Sequence, residues 1–229
     1  NWRVNYSGLT RFEWFKDRFQ NIMISHGYRS VFSVGNFSTN LIYKETNGAA
    51  SRRDSINTKD FYPKYQIAQI GIAEQLSPLI GVDATLKNNL TFRLEYKTSR
   101  NLILTLVNNR LNENTLREWT VGAGYRWNNP RLPFLVNGEL RELKNDLNLR
   151  FDLNIRDNYM LMRDLDGVEP QPSGGGRTVS VKPSADYILN DMINVRFFVD
   201  YQLSTPYIST SFPNSQTSGG VSLRFTLAN

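Results

Sequence analysis

The chain has 229 residues, with 27 Lys and Arg against 21 Asp and Glu, and its formal charge of +6 is spread among acids rather than massed in a nucleic-acid-binding tract. Cysteine is absent, which excludes a disulfide framework and any thiolate metal site. Apolar runs such as Leu102, Ile103 and Leu104 stop within a few residues, so no segment approaches the about 20 apolar residues of a transmembrane helix.

Asn1 is not an initiator Met and no secretory signal follows it, so the numbering is expected to start inside a longer precursor. Trp2, Val4 and Tyr6 alternate with Arg3 and Asn5, a strand already under way. In 9–19, Phe12, Phe15 and Phe19 recur at helical spacing. This reads either as a short amphipathic helix at a membrane interface or barrel rim, or as a turn over packed aromatics. Residues 20–43 form a long strand candidate with Ile22, Ile24, His26, Tyr28, Phe32 and Val34 on one parity, and 44–60 is a polar loop. In 64–86, Ala68, Ile70, Ile72, Leu76, Ile80, Val82, Ala84 and Leu86 keep even parity through Pro78. One long bulged strand is the favoured reading, over two strands sharing a face.

A tight turn at 87–89 leads to a strand over 90–107, then a loop over 108–115 and a strand over 117–127. Residues 128–144 hold prolines and form a connection with room for one helical turn. The clearest stretch is 145–156, NDLNLRFDLNIR. Leu147, Leu149, Phe151, Leu153 and Ile155 fall on one face, and Asp146, Asn148, Arg150, Asp152, Asn154 and Arg156 on the other. A loop over 157–176, ending in Gly174, Gly175 and Gly176, precedes a strand over 177–189, a two-residue turn at Asn190 and Asp191, and a strand over 193–201 whose polar row Phe198 interrupts. A polar loop over 204–218 leads to the last strand, 219–227. This gives nine strands, or eleven if the two longest are split.

Such alternation suits either a soluble β-sandwich with a wet polar face or an outer-membrane barrel with its apolar face in lipid and its polar face lining a lumen. Aromatics at expected strand ends (Trp2, Tyr6, Trp119, Trp127, Tyr187, Tyr201), alternately short and long connections, and strands beyond the usual about 5–6 residues favour the barrel. The expected fold class is therefore an all-β, antiparallel transmembrane β-barrel segment without a second domain. Its lumen-facing polar set is Arg93, Glu95, Lys97, Arg150, Asp152, Lys182, Asp186 and Arg196. Its lipid-facing and girdle set is Trp119, Tyr125, Trp127, Leu149, Phe151, Tyr187, Val195 and Phe197.

The stretch SGGVSLRF (218–225) fits the terminal-strand signal read by the outer-membrane assembly machinery, with Gly220, Leu223 and Phe225 at its defining positions. That orientation turns 44–60, 108–115, 157–176 and 204–218 outward, and 8–19, 87–89, 128–144 and 190–191 to the periplasm. An odd count suits a piece of a larger barrel better than a free-standing one, since bacterial barrels are even-numbered. Residues 64–86 reach about 75 Å at about 3.3 Å per residue, well beyond an apolar band of about 25 Å, and should project above it.

The runs NWRVNYSGL (1–9), SHGYRS (25–30), PKYQIAQIGIAEQLSPLIGVDATLKNNLTFRLEYKTSRNL (63–102), LKNDLNLRFDLNIRDN (143–158), ADYILNDMINVRFFVDYQLSTPYISTSFP (185–213) and VSLRFTL (221–227) closely resemble the C-terminus of the SprA/Sov family. These are the giant outer-membrane translocons of the type IX secretion system, tied to gliding motility in Bacteroidetes. The resemblance covers essentially the whole chain. It implies a single-chain barrel of about 36 strands, of which this chain supplies the C-terminal part. It also implies a bacterial outer-membrane pore for folded cargo bearing a C-terminal secretion domain, with a lateral opening. The implied partners are the remainder of the same barrel, a PorV-type shuttle barrel, a periplasmic plug protein and the lipid bilayer. No catalytic motif, cofactor or nucleic acid is implied. The alternatives are the C-terminal half of a TonB-dependent or porin-type small-solute transporter, and a soluble β-sandwich adhesin or enzyme.

Other constellations have plainer readings. His26, the single histidine, lies on the apolar parity and lacks the partners of a metal or catalytic site, so a packed or girdle role is expected. Asp146, Asp152 and Asp157 interleave with Arg150 and Arg156, which suggests neutralised cross-strand ladders rather than a cation site. The Gly174 to Gly176 run lacks the strand–loop–helix context of a nucleotide site and reads as loop, and Arg52 and Arg53 read as solvated.

Overall fold

A computed structural model describes residues 1–56, 59–136, 139–142, 145–167, 169–190, 193–208 and 211–226. Nine strands form one antiparallel sheet: β1 (Trp2–Tyr6), β2 (Phe19–Thr39), β3 (Tyr65–Leu86), β4 (Leu90–Thr105), β5 (Arg110–Trp127), β6 (Leu147–Asp164), β7 (Gln171–Asn190), β8 (Ile193–Pro206) and β9 (Asn214–Phe225). Each strand pairs with its neighbours in sequence, and the sheet stays open, with β1 and β9 as its two edges. An odd number of alternating strands leaves β1 and β9 running in the same direction, so they could not close antiparallel on each other.

Period-two patterning fixes the register. Leu90 pairs with Tyr125, Tyr125 with Leu149, Leu149 with Ala185, Ala185 with Phe197 and Phe197 with Val221, a continuous apolar row across six strands. A row higher runs Tyr6, Ile24, Val82, Leu94, Val121, Leu153, Val181, Tyr201 and Thr217, crossing all nine. The expected single strand over 64–86 is present as β3. Its bulge between Leu76 and Ile80 adds an even number of residues, which is why parity survives Pro78.

Turn chemistry closes the hairpins. Asn89, at φ 66°, ends the β3–β4 turn, and Asn109, at φ 49°, ends the β4–β5 turn. Asn47 and Gly48, at φ 52° and 78°, turn a small ribbon, Glu45–Thr46 against Ala49–Ala50, inside the 44–60 segment. The turn expected at Asn190 and Asp191 lies partly outside the described residues, as does Leu227 at the end of the expected last strand.

Several expected loops are strand. The 108–115 loop shrinks to a turn over 106–109, with β5 starting at Arg110. The 157–176 loop is mostly the end of β6 and the start of β7, and Gly174, Gly175 and Gly176 lie inside β7. The 204–218 loop contracts to 207–213. These segments are polar, but strands hydrogen-bonded to neighbours on both sides need no apolar face to persist. Among its described residues the 128–144 connection shows not a helical turn but a second ribbon, Arg131–Val136 against Glu139–Glu142. Residues 9–19 take the helical alternative, as a 3-10 turn (Gly8–Arg11) and α1 (Glu13–Arg18), whose Arg18 carbonyl accepts from Lys87 N–H at 3.1 Å beside the β3–β4 turn.

The sheet is a single layer. Among the described residues the buried apolar side chains are Ile22 and Ala84 with Pro78 and Pro130, and no large side chain is fully enclosed. Among the described residues no second sheet or long helix packs against the apolar face, so the residues that alternation assigns to a core are left uncovered by them.

Candidate functional site: two opposed faces of one sheet

The apolar face is organised as a band. Its lower border holds Trp127, Leu147, Tyr187, Val195 and Leu223, and its upper border Tyr96, Trp119, Ile155, Val179 and Leu203. Trp127 and Trp119 stand eight residues apart on β5, about 26 Å at about 3.3 Å per residue. Leu149, Phe151 and Phe197, with Tyr125 beside them, lie between and are all exposed. At the upper border Trp119 stacks on Tyr96, ring centroids 4.4 Å apart, and Trp2 packs on Tyr28 at 4.5 Å. Trp119 and Tyr201 are not at strand ends, as the sequence suggested. Their strands run on past them; Trp119 marks the limit of the band and Tyr201 lies one row inside it.

The opposite face is charged and cross-linked. Arg93 contacts Asp83 at 3.7 Å and Glu95 at 2.6 Å, and Lys97 meets Glu95 at 2.8 Å. Glu95 is nearly buried between those two same-strand cations, two residues away on either side. Asp152 pairs in register with Gly122 and Lys182, Lys182 reaches Asp200 at 3.9 Å, and Arg196 reaches Asp186 at 3.7 Å. Arg150 and Asp152 are exposed on this face beside Arg93. All eight residues expected on the polar side share it. Asp146 pairs with Arg126 at 2.5 Å, a neutralised pair across neighbouring segments. Phe198, the apolar interruption, pairs in register with Gly220 and covers it.

Above the band the apolar face changes character. One row past Ile155 it carries Thr98, Arg117, Asp157, Arg177 and Thr205. Asp157 therefore sits on the face opposite Asp152. Its partners are Arg177, at 2.8 Å, and the Tyr207 hydroxyl, not Arg156. Farther out, Arg100 Nε donates to Glu113 at 2.7 Å. That bond holds the Glu113 carboxyl below its ordinary range against the opposing effect of partial burial, helped by the charge of Arg100, the Thr115 hydroxyl and Arg163. Sequence reading passed over Tyr159 and Tyr207 because their segments looked like loops, and over Arg117 and Arg177 because they open the expected strands with nothing yet opposite them. The signal was available, since the odd parity of 147–155 continues through Asp157, Tyr159 and Leu161.

At the lower end Phe12 and Trp14 are exposed, and the Arg18 guanidinium lies 5.2 Å from the Trp14 ring centre. Leu223 and Phe225 continue the apolar face on β9. His26 donates its Nδ1–H to the Leu79 carbonyl at 2.7 Å, next to Trp2, a packed position. Arg53, expected to be solvated, stacks over Phe61 at 4.6 Å. Among the described residues no cluster of His, Asp and Glu is placed to hold a metal ion, and no helix is long and apolar enough to cross a membrane. No protein-family model matches the chain, and comparison with curated proteins finds no match.

Proposed function

We propose that the chain forms part of the wall of an outer-membrane channel that exports folded proteins, as the resemblance to the SprA/Sov translocons of type IX secretion suggests. The observation that carries the membrane reading is the band itself: a nine-stranded apolar face with aromatic borders and no covering layer, backed by a salt-bridged face. Monomeric soluble proteins rarely expose contiguous apolar patches beyond a few hundred Å². Hydrocarbon is the solvent that removes the cost of this one, and its about 26 Å height suits an apolar zone of about 25 Å.

The open sheet supports a wide pore. Eight strands already suffice to close a small barrel. Nine that stay open, with both edges unpaired, fit an arc of a much larger cylinder completed by strands outside this chain. On this reading Arg93, Glu95, Lys97, Arg150, Asp152, Lys182, Asp186 and Arg196 line the lumen. Paired charges there keep the wall wet without one sign dominating, a surface along which a folded cargo slides without sticking. The strand extensions past Trp119 build an extracellular rim. The PorV-type shuttle, the periplasmic plug and the cargo's C-terminal secretion domain belong to this proposal.

The cysteine-free chain supplies the test. With cargo export under way, a photo-cross-linker on a single cysteine at Asp152 should capture cargo, whereas one at Leu149 should capture lipid and no cargo. Cargo captured at neither position, or small solutes alone protected from labelling, overturns the export reading and leaves a transporter barrel.

A further inference from the structure

On the apolar-band face, just above its upper border, β5, β6 and β7 enclose a cleft of about 520 Å³ whose lining includes Glu113, Arg117, Asp157, Tyr159, Arg177 and Tyr207. Asp157 is already engaged: Arg177 Nε donates at 2.8 Å and Nη2 at 3.3 Å, and the Tyr207 hydroxyl donates to the same carboxylate. Arg117 faces Asp157 in the ladder, is exposed, and forms no ion pair among the described residues. The neighbouring rows of this face add Arg100 and Arg163 against Glu74 and Glu113, and Arg100 is occupied by Glu113 at 2.7 Å. The cleft thus offers one uncommitted guanidinium, a second held rigid by its carboxylate, and two tyrosine rings 5.9 Å apart.

The same face falls away into hydrocarbon-type surface. Below the cleft come Ile155, Val179, Leu153 and Val181, then a shallow apolar groove of about 720 Å³ among Ala123, Leu149, Phe151, Ala185, Phe197 and Val221. Phe151 lies six residues below Asp157, about 20 Å along β6. A charged, hydrogen-bonding cleft, with Arg117 and Arg177 set against Asp157 and Glu113, directly above an apolar groove is the shape of an amphiphile.

Building on the membrane reading above, we infer that this cleft is a headgroup site for a phosphate-bearing lipid, with Arg117 as the anchoring cation, Arg177 and the tyrosine hydroxyls beside it, and the acyl chains lying down the groove. A guanidinium matches phosphate oxygens with two parallel donors, which a hydrated ammonium does not. Asp157 serves to fix Arg177 and to turn away headgroups of higher negative charge density.

The test uses the full protein in detergent, its bound lipids counted by intact-complex mass spectrometry in the presence of phosphatidylglycerol, phosphatidylcholine or inorganic phosphate. Wild type should retain phosphatidylglycerol, and Arg117→Gln should retain about tenfold less, the value of one charge-assisted hydrogen bond. Arg117→Lys should recover part of it. Equal retention by wild type and Arg117→Gln overturns the site, and displacement of the lipid by millimolar inorganic phosphate reassigns it to a free anion. Flotation with phosphatidylcholine vesicles separates the two failures. Protein that floats but shows no Arg117 dependence refutes only the headgroup site, whereas protein that floats with no vesicle refutes the membrane reading and the site with it.

Discussion

Phe198 lies over Gly220: a Cβ added at Gly220 would stand 3.4 Å from the Phe198 ring, across the β8–β9 ladder on the charged face. Two oddities of the sequence thereby explain each other, a phenylalanine breaking a polar row and a glycine in the terminal strand. The ring shields backbone that glycine leaves bare, as aromatic side chains do beside strand glycines. Phe198→Ser should therefore lower the temperature at which the folded band converts to the unfolded one on semi-native gels, by the order of 1 kcal/mol in stability. Gly220→Leu, which must push the ring aside, should slow assembly more than Phe198→Ser does. Unchanged behaviour of both variants would remove the pairing from the account of the terminal strand.

Depth on the apolar face should set the cost of a charge. Leu153 stands inside the band, one row below its Ile155 border, whereas Leu161 lies on the same face of the same strand beyond Asp157. Leu153→Arg should cost about 2–4 kcal/mol in lipid, falling to about 0–1 near or past the interface for Leu161→Arg. Equilibrium urea unfolding in vesicles measures both. Equal penalties would mean that hydrocarbon does not contact Leu153.

What the sequence made legible was the period-two code. Leu149 and Phe151 against Arg150 and Asp152 could be assigned to faces before any register was known, because successive strand side chains alternate. The bulge in β3 was legible too, since Ile72, Leu76, Ile80 and Val82 keep their parity through Pro78. Strand length was not. Between Arg110 and Asn114, and again from Asp157 to Asp164, polar residues pair across strands that no longer need a dry face, and polarity alone was mistaken for loop. Asp157 is neutralised across the strands, as the interleaved charges suggested, but by Arg177 on the face opposite Asp152.

The Arg100–Glu113 pair gives the rim a pH dependence. Glu113 titrates below its ordinary value in the folded chain because Arg100 donates to it, so the folded state holds fewer protons than the unfolded one as the pH falls. Its contribution is complete above the unfolded carboxylate range, near about pH 4.3, and is lost as acid carries the pH down through the lower folded value. Thermal unfolding followed between pH 6 and 3, values bracketing about 4.3, should show a smaller acid-induced loss in Arg100→Gln than in wild type. Identical pH profiles would show that the pair adds nothing. Half of the Arg100 side chain is exposed, so raised salt should shrink the difference.

Gly175 is a glycine that its strand cannot replace. It sits in β7 at φ 115°, and a Cβ there would come within 2.2 Å of the Asn158 carbonyl oxygen on β6. Its own carbonyl accepts from Tyr207 N–H at 3.0 Å, which holds the residue beside the ring that reaches Asp157. Two separate costs meet at this position: the disfavoured backbone region, about 1–3 kcal/mol for a side-chain-bearing residue, and a clash with backbone that cannot rotate away. Gly174 differs, because the nearest atom to its Cβ would be the flexible Met160 sulfur at 3.3 Å. Gly175→Ala should accordingly loosen the β6–β7 pairing and detach Tyr207, visible as faster amide exchange at Tyr159 and Arg177, while Gly174→Ala exchanges like wild type. Comparable exchange in the two variants would mean that the strand end relaxes freely and that Tyr207 is positioned by something other than Gly175.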